Sequence, residues 1–242
     1  MFSLKDQKVV VIGAGSGIGA AVATSSAAMG ASVVLAGRTV EKLRRVQQTI
    51  GDTAQVAIEV VDVADEDSVS DLMDRIGQFD HLILTAKPAA PSAPLAELTR
   101  ASIDPILGTK FLGAVYTLKH ATRALRRGGS ITLVSGVAGW RPGANATILS
   151  AVNGGLASLA MSAALDLAPS RVNVIAPGVV DTPTWAGMPE DRRTAFFAAT
   201  AAKLPVGRIG RPEDIAQAAI FLMSNGYTTG TVIHVDGGAL LV

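Results

Sequence analysis

The sequence predicts an α/β protein: a doubly wound parallel sheet of about seven strands with helices on both faces. Two observations predict it. Seven largely apolar runs of strand length recur along the chain, and segments of helical length separate most of them. The composition agrees, because 49% hydrophobic and 17% charged residues with 25 glycines suit strands buried on both faces rather than a disordered or fibrous chain.

The first run, residues 9–12, leads into a glycine-rich turn and then the helical stretch 20–29. The second, 33–36, ends just before Arg38, and the third, 56–61, ends at Asp62. The fourth run is 82–84, the fifth 131–134, the sixth 172–176 and the last 232–235. A further helix start is legible at Arg211-Pro212-Glu213-Asp214, where a proline loses nothing by lacking an N–H and acids meet the positive end of the dipole. That helix should run through 215–223. Residues 150–168 are crowded with Ala, Gly and Ser, so their backbone can approach another helix closely, either at a subunit interface or within the chain. With 242 residues and neither repeat nor linker, one domain spanning 1–242 is expected. Because crossovers in such sheets are right-handed, ligands should collect beyond the carboxyl ends of the strands, where the strand order reverses.

Several functions are not expected. A net charge of +1 gives no field to hold nucleic acid. Arg123, Arg126 and Arg127 do cluster, but they read as basic residues in the last turn of a helix. The absence of cysteine removes disulfides and thiolate chemistry, and three scattered histidines offer no metal-ligand spacing, so metal none is the expectation. No signal-peptide pattern and no uninterrupted apolar run of about 18 residues is present, which points to a cytoplasmic protein that does not enter a membrane.

The chemistry begins in the turn Gly13-Ala14-Gly15-Ser16-Gly17-Ile18-Gly19. Glycines between a strand and a helix permit a tight turn and let backbone N–H groups reach a pyrophosphate at the helix N-terminus. A Rossmann dinucleotide site follows. About 20 residues later an NAD-specific site carries an acid for the ribose 2′-hydroxyl. This chain instead reads Leu35-Ala36-Gly37-Arg38-Thr39. Arg38 offers a planar cationic fork to a 2′-phosphate, so NADP(H) is the expected cofactor; the alternative is an arginine merely exposed at a helix start. Asp62 is placed to accept the adenine amino proton, unless it serves as a helix cap or turn residue.

These motifs, together with Asp62-Val63, Ala176-Pro177-Gly178-Val179-Val180-Asp181-Thr182-Pro183, Gly207-Arg208, Pro212-Glu213-Asp214 and Val235-Asp236-Gly237-Gly238, make the chain resemble a short-chain dehydrogenase/reductase from end to end. The resemblance implies that Gly13 to Gly19 line the pyrophosphate and that Asp62 and Val63 hold adenine. It also implies that Val180 and Thr182 fix the nicotinamide carboxamide, with Ala86, Pro177 and Gly178 beside the cofactor. It implies carbonyl or alcohol redox chemistry by an Asn-Ser-Tyr-Lys tetrad, and a homodimer or homotetramer.

The tetrad is where the chain departs. Leu149 falls at the tyrosine and Asn153 at the lysine; Gly136 falls at the serine, with Ser135 one residue early and, as a neighbour on a strand, expected to face the other side. Lys110 stands at the asparagine, and the segment before the fourth loop reads Leu84-Thr85-Ala86-Lys87 where the family has Asn-Asn-Ala-Gly. Neither Tyr116 nor Tyr227 is placed to substitute. Lysine and asparagine have, however, traded places, so Lys110 can bring positive charge, and a proton, to a substrate carbonyl. A lysine of reference pKa about 10.4 needs burial or a neighbouring cation, such as Lys87, to serve near neutrality. The alternative is that Lys110 only anchors a helix or an interface.

Residues 183–205, with Trp185, Met188, Phe196 and Phe197, match the family's lid and would give an apolar wall for a small, apolar substrate. Trp140 and Arg141 stand near the same opening, Arg141 as a possible anchor for an anionic group. Two functions remain open: an NADP(H)-dependent oxidoreductase with an atypical proton relay, or a catalytically inactive dinucleotide-binding sensor or partner subunit.

Overall fold

The apolar runs become seven parallel strands: β1 (Lys8–Ile12), β2 (Ser32–Gly37), β3 (Val56–Val60), β4 (Phe79–Leu84), β5 (Leu125–Val134), β6 (Arg171–Pro177) and β7 (Val232–Val235). A computed structural model describes residues 3–86 and 93–242. The strands pair in the order β3-β2-β1-β4-β5-β6-β7, so the direction of winding reverses between β1 and β4.

Alternate residues of each strand feed two apolar layers. On one face Val10, Ile12, Leu82 and Leu84 pack with Leu72, Met73, Leu118 and Leu156. On the other, Val9, Val11, Leu35 and Ile83 pack with Val22, Leu43, Ile215 and Leu222. Burial of both faces is why the strands read as continuous apolar runs rather than alternating ones. The helices that cover them are α1 (Gly17–Ala28), α2 (Val40–Ile50), α3 (Glu66–Ile76), α4 (Arg100–Ile106), α5 (Gly113–Ala121), α6 (Thr147–Asp166), α7 (Glu190–Ala201) and α8 (Pro212–Ser224).

The start of α8 is as the sequence predicts: Asp214 accepts the Arg211 N–H at 2.7 Å and pairs with the Arg208 guanidinium at 2.7 Å. The arginine cluster differs from expectation. Helix α5 ends at Ala121, and Arg126 and Arg127 belong to the first residues of β5. Arg126 pairs with Asp80 at 2.7 Å and Arg123 with Asp74 at 3.0 Å, so these cations answer acids on neighbouring elements rather than a helix dipole. The Gly128-Gly129 pair hid this strand start, since glycine favours turns over strands.

Helix α6 is long and apolar enough to cross a membrane by length and composition, with mean hydropathy 1.6. Here it lies against the sheet, burying Val152, Leu156, Ala160 and Ala164. Its small residues serve close packing within the chain: a Cβ on Gly155 would lie 3.1 Å from the Phe111 ring. Met161 and Leu165 on its outer face are exposed.

Between α4 and α5 the helix widens into a π-helical segment, Leu107–Leu112. Pro105, which has no N–H to donate, sits just ahead of it in α4. Lys110 is carried on this segment.

Candidate active site

The carboxyl ends of the strands open onto a cleft of about 490 Å³ at the point where strand order reverses. One wall is the glycine turn. Gly13 has φ +88° and Gly17 φ +54°, both left-handed, and the Gly13 N–H bonds the Ala36 carbonyl at 2.8 Å. Gly19 must be glycine for a second reason: a Cβ there would lie 2.2 Å from the Gly13 carbonyl oxygen. The turn thus packs flush on α1. Ser16 caps α1 in extended conformation without a side-chain hydrogen bond, and the first turn of α1 holds no acid. Gly13, Gly15, Ser16, Gly17, Ile18 and Gly19 all line the cleft, so unsatisfied N–H groups and the positive end of a helix dipole face it. These residues fit a pyrophosphate.

At the end of β2 the cleft is lined by Arg38 and Lys42, which stand four residues apart. Arg38 is exposed and makes no ion pair among the described residues. No carboxylate stands at the head of β2 to repel a phosphate. Asp62 and Val63, after β3, line the next stretch. Asp62 Oδ1 accepts the Ala64 N–H at 3.1 Å, which is a turn contact, whereas the cap of α3 is Asp65. Ala86, Pro177, Gly178, Val180 and Thr182 complete the rim, with Thr182 packed on Gly17, where a Cβ would lie 3.2 Å from it. Every residue assigned from the sequence to the cofactor lies along this one cleft.

Three polar side chains at its inner end are almost fully buried: Lys110 at 4%, Asn153 at 2% and Ser135 at 7% exposure. They come from the π segment, α6 and the end of β5. Lys110 Nζ donates to Asn153 Oδ1 at 2.6 Å and to the Ser135 carbonyl at 3.0 Å. Ser135 Oγ donates to the Asn153 carbonyl at 2.8 Å. The hydroxyl is therefore turned onto the α6 backbone. Leu149 lines the cleft where the resemblance puts tyrosine, and Gly136 where it puts serine. Tyr116 packs against the apolar core and Tyr227 is fully exposed, so neither reaches the cleft. Lys87 lies outside the described residues.

On the substrate side Trp185 lines the cleft and its Nε1 donates to the Val180 carbonyl at 2.9 Å. Phe196 and Phe197 of α7 pack against it, tilted and edge-on, with ring centroids 5.0 and 6.1 Å away. No residue of α7 is fully buried. Met188 and Arg141 do not line the cleft, and Trp140 instead meets His234 edge-on at 4.6 Å.

Sequence reasoning missed Lys42, Thr85 and Thr109 as cleft residues. Lys42 lies in the first turn of α2, four residues after Arg38, which precedes the helix cap Thr39. Thr85, whose hydroxyl braces the turn by bonding the Ile12 and Gly13 carbonyls at 3.1 and 3.2 Å, had no signal in the sequence.

Comparison with known proteins agrees with this geometry. Residues 13–239 match a family model described as enoyl-(acyl carrier protein) reductase. The chain is 41% identical to cis-4-hydroxycyclohexanecarboxylate dehydrogenase of Sinomonas cyclohexanicum, over 96% of each chain. A crystal structure of a small-chain dehydrogenase in complex with NADPH is 38% identical, with a TM-score of 0.83 over 98% of this chain and 99% of that one. The MalC reductase/Diels-Alderase of Malbranchea aurantiaca superposes with a TM-score of 0.92 at 29% identity, over 99% of this chain and 98% of its own.

Proposed function

The chain belongs to the short-chain dehydrogenase/reductase family, and from that membership we propose an NADP(H)-dependent oxidoreductase that interconverts an alcohol and a carbonyl on a small, largely apolar molecule. The bound coenzyme supplies or accepts the hydride. The protein's own part is to hold the pyrophosphate on the α1 N-terminus through the glycine turn, and the 2′-phosphate between Arg38 and Lys42. Asp62 and Val63 receive adenine, and Val180 and Thr182 the carboxamide. Residues 1–242 act as one domain, with 183–205 as the lid that shuts out water.

The observation that carries the catalytic reading is the 2.6 Å contact between Lys110 and Asn153. The exchanged pair rebuilds a charged cluster at the inner end of the cleft. Lys110 supplies positive charge near the oxygen on which negative charge develops. As the ionisable member of the cluster, it exchanges the proton with that oxygen by way of solvent in the cleft. Trp185, Phe196 and Phe197 support an apolar substrate, and the cis-4-hydroxycyclohexanecarboxylate dehydrogenase relative supports an alicyclic one. The exposed Met161 and Leu165 on α6 support a homodimer or homotetramer. Packing of α6 on the sheet supports its reading as a core helix rather than a membrane span.

The test is oxidation of NADPH by a panel of aldehydes, ketones and quinones that includes 4-oxocyclohexanecarboxylate. Turnover that falls at least about 100-fold in Lys110→Ala supports the reading. Leu149 at the tyrosine position favours the second reading, a dinucleotide-binding sensor without turnover; tight NADPH binding with no reaction across the panel selects it.

A further inference from the structure

The side-chain amide of Asn153 has a single orientation open to it. Lys110 Nζ can only donate, so the atom 2.6 Å from it is Oδ1. Nδ2 is turned the other way. There it meets Gly136, where a Cβ would lie 2.9 Å from Nδ2, and it makes no hydrogen bond to any described residue. Asn153 and Gly136 both line the cleft, and the amide fits against Gly136 because no side chain stands there, so a 2%-exposed residue brings two N–H donors to the cleft. Donors that reach the cleft with no acceptor among the described residues are available to a ligand there. Leu149 and Ala138, which line the same cleft, have no donor to compete.

We propose that Asn153 Nδ2 binds the reacting oxygen of the substrate, the carbonyl oxygen of the ketone or the hydroxyl oxygen of the alcohol. Besides its part in proton exchange, Lys110 also positions and polarises the Asn153 amide. It draws electron density from Oδ1, which strengthens the N–H donors on the far side of the same amide. Ser135 braces the arrangement from both directions: its carbonyl takes the ammonium at 3.0 Å and its hydroxyl holds the Asn153 carbonyl at 2.8 Å. Gly136 and Asn153 are matched, since any side chain at 136 pushes the amide off its contact with Lys110. The inference rests on the oxidoreductase reading and adds to it the atom that touches substrate.

Asn153→Asp preserves size and an acceptor for Lys110 while removing both N–H donors. The probe is cyclohexanone carrying carbon-13 at the carbonyl, bound together with NADP+, and the readout is its infrared carbonyl stretch. We expect the band in the wild-type complex to lie below that in Asn153→Asp and in Gly136→Ala, which displaces Nδ2 without removing a donor. Turnover in Asn153→Asp should drop about 100-fold, with coenzyme affinity unchanged. Identical bands in wild type and Asn153→Asp overturn the proposal, as does the absence of a bound band in wild type. Weakened NADP+ binding with an unmoved band overturns it too, by assigning Nδ2 to the coenzyme ribose. Should Asn153→Asp not fold, Gly136→Ala carries the comparison. A wild type that binds no NADP+ removes the oxidoreductase reading, whereas bound coenzyme with an unshifted ketone removes this inference alone.

Discussion

Lowering the pH from about 7.5 to about 4 should destabilise the protein through His81, a β4 residue only 4% exposed. Its Nε2 donates to Gln7 Oε1 at 3.0 Å, and Ser130 Oγ donates to Nδ1 at 2.8 Å, so the neutral ring is satisfied at both nitrogens. Burial, and then the nearby Arg171 charge, hold its pKa down to about 4, against a smaller opposing pull from Asp80. The unfolded chain therefore takes up a proton at higher pH than the folded one. The neutral-ring stability is fully present above about 6.5 and lost as pH falls toward about 4. A difference of roughly 2.5 pKa units at about 1.4 kcal/mol each corresponds to about 3.5 kcal/mol, of which about 2 kcal/mol is gone by pH ~5 and about 3 kcal/mol by pH ~4. Urea unfolding at fixed protomer concentration, for wild type and His81→Gln across this range, isolates the effect from other acids. The wild-type advantage should shrink by about 3 kcal/mol on acidification. An advantage that stays constant with pH refutes the reasoning.

Arg38→Ala should weaken NADPH binding by about 10- to 100-fold and leave NADH nearly unaffected, because a charge-assisted contact is worth roughly 1.5–3 kcal/mol; parallel calorimetric titrations check it. Gly19→Ala should cost about 1–3 kcal/mol of stability and most of the coenzyme affinity, since its Cβ would meet the Gly13 carbonyl oxygen at 2.2 Å; thermal shift with and without NADPH reads both. Asp214→Asn should destabilise α8 by about 0.5–2 kcal/mol at neutral pH. The Arg208 guanidinium and the Arg211 N–H hold Asp214 down to about 2, so this contribution is present above about pH 4 and lost below, and wild type and variant should converge near pH ~2 in an acid titration of unfolding.

The strands were legible because burial on both faces makes each a dense apolar run, and Pro212 marked the start of α8 for a local, steric reason. The glycine turn was legible because each glycine answers a backbone need within seven residues of chain. The start of β5 was not, because Arg126-Arg127-Gly128-Gly129 carries no apolar signal and is held by pairing with Phe79 and by Asp80. The Lys110 and Asn153 contact joins residues 43 apart, and only the family resemblance aligned them. The π segment that carries Lys110, the turn of the Ser135 hydroxyl onto α6 and the fit of the Asn153 amide against Gly136 are products of packing. Nothing in local residue pattern encodes them.

Calorimetric titration of the purified wild-type protein with NADPH and with NADH tests the account most directly, because every proposed role depends on a phosphorylated dinucleotide lying along the cleft. The account predicts saturable binding of both, with NADPH tighter by at least about 10-fold, the equivalent of roughly 1.4 kcal/mol. Heat changes no larger than dilution for either coenzyme, or a preference for NADH, contradict it.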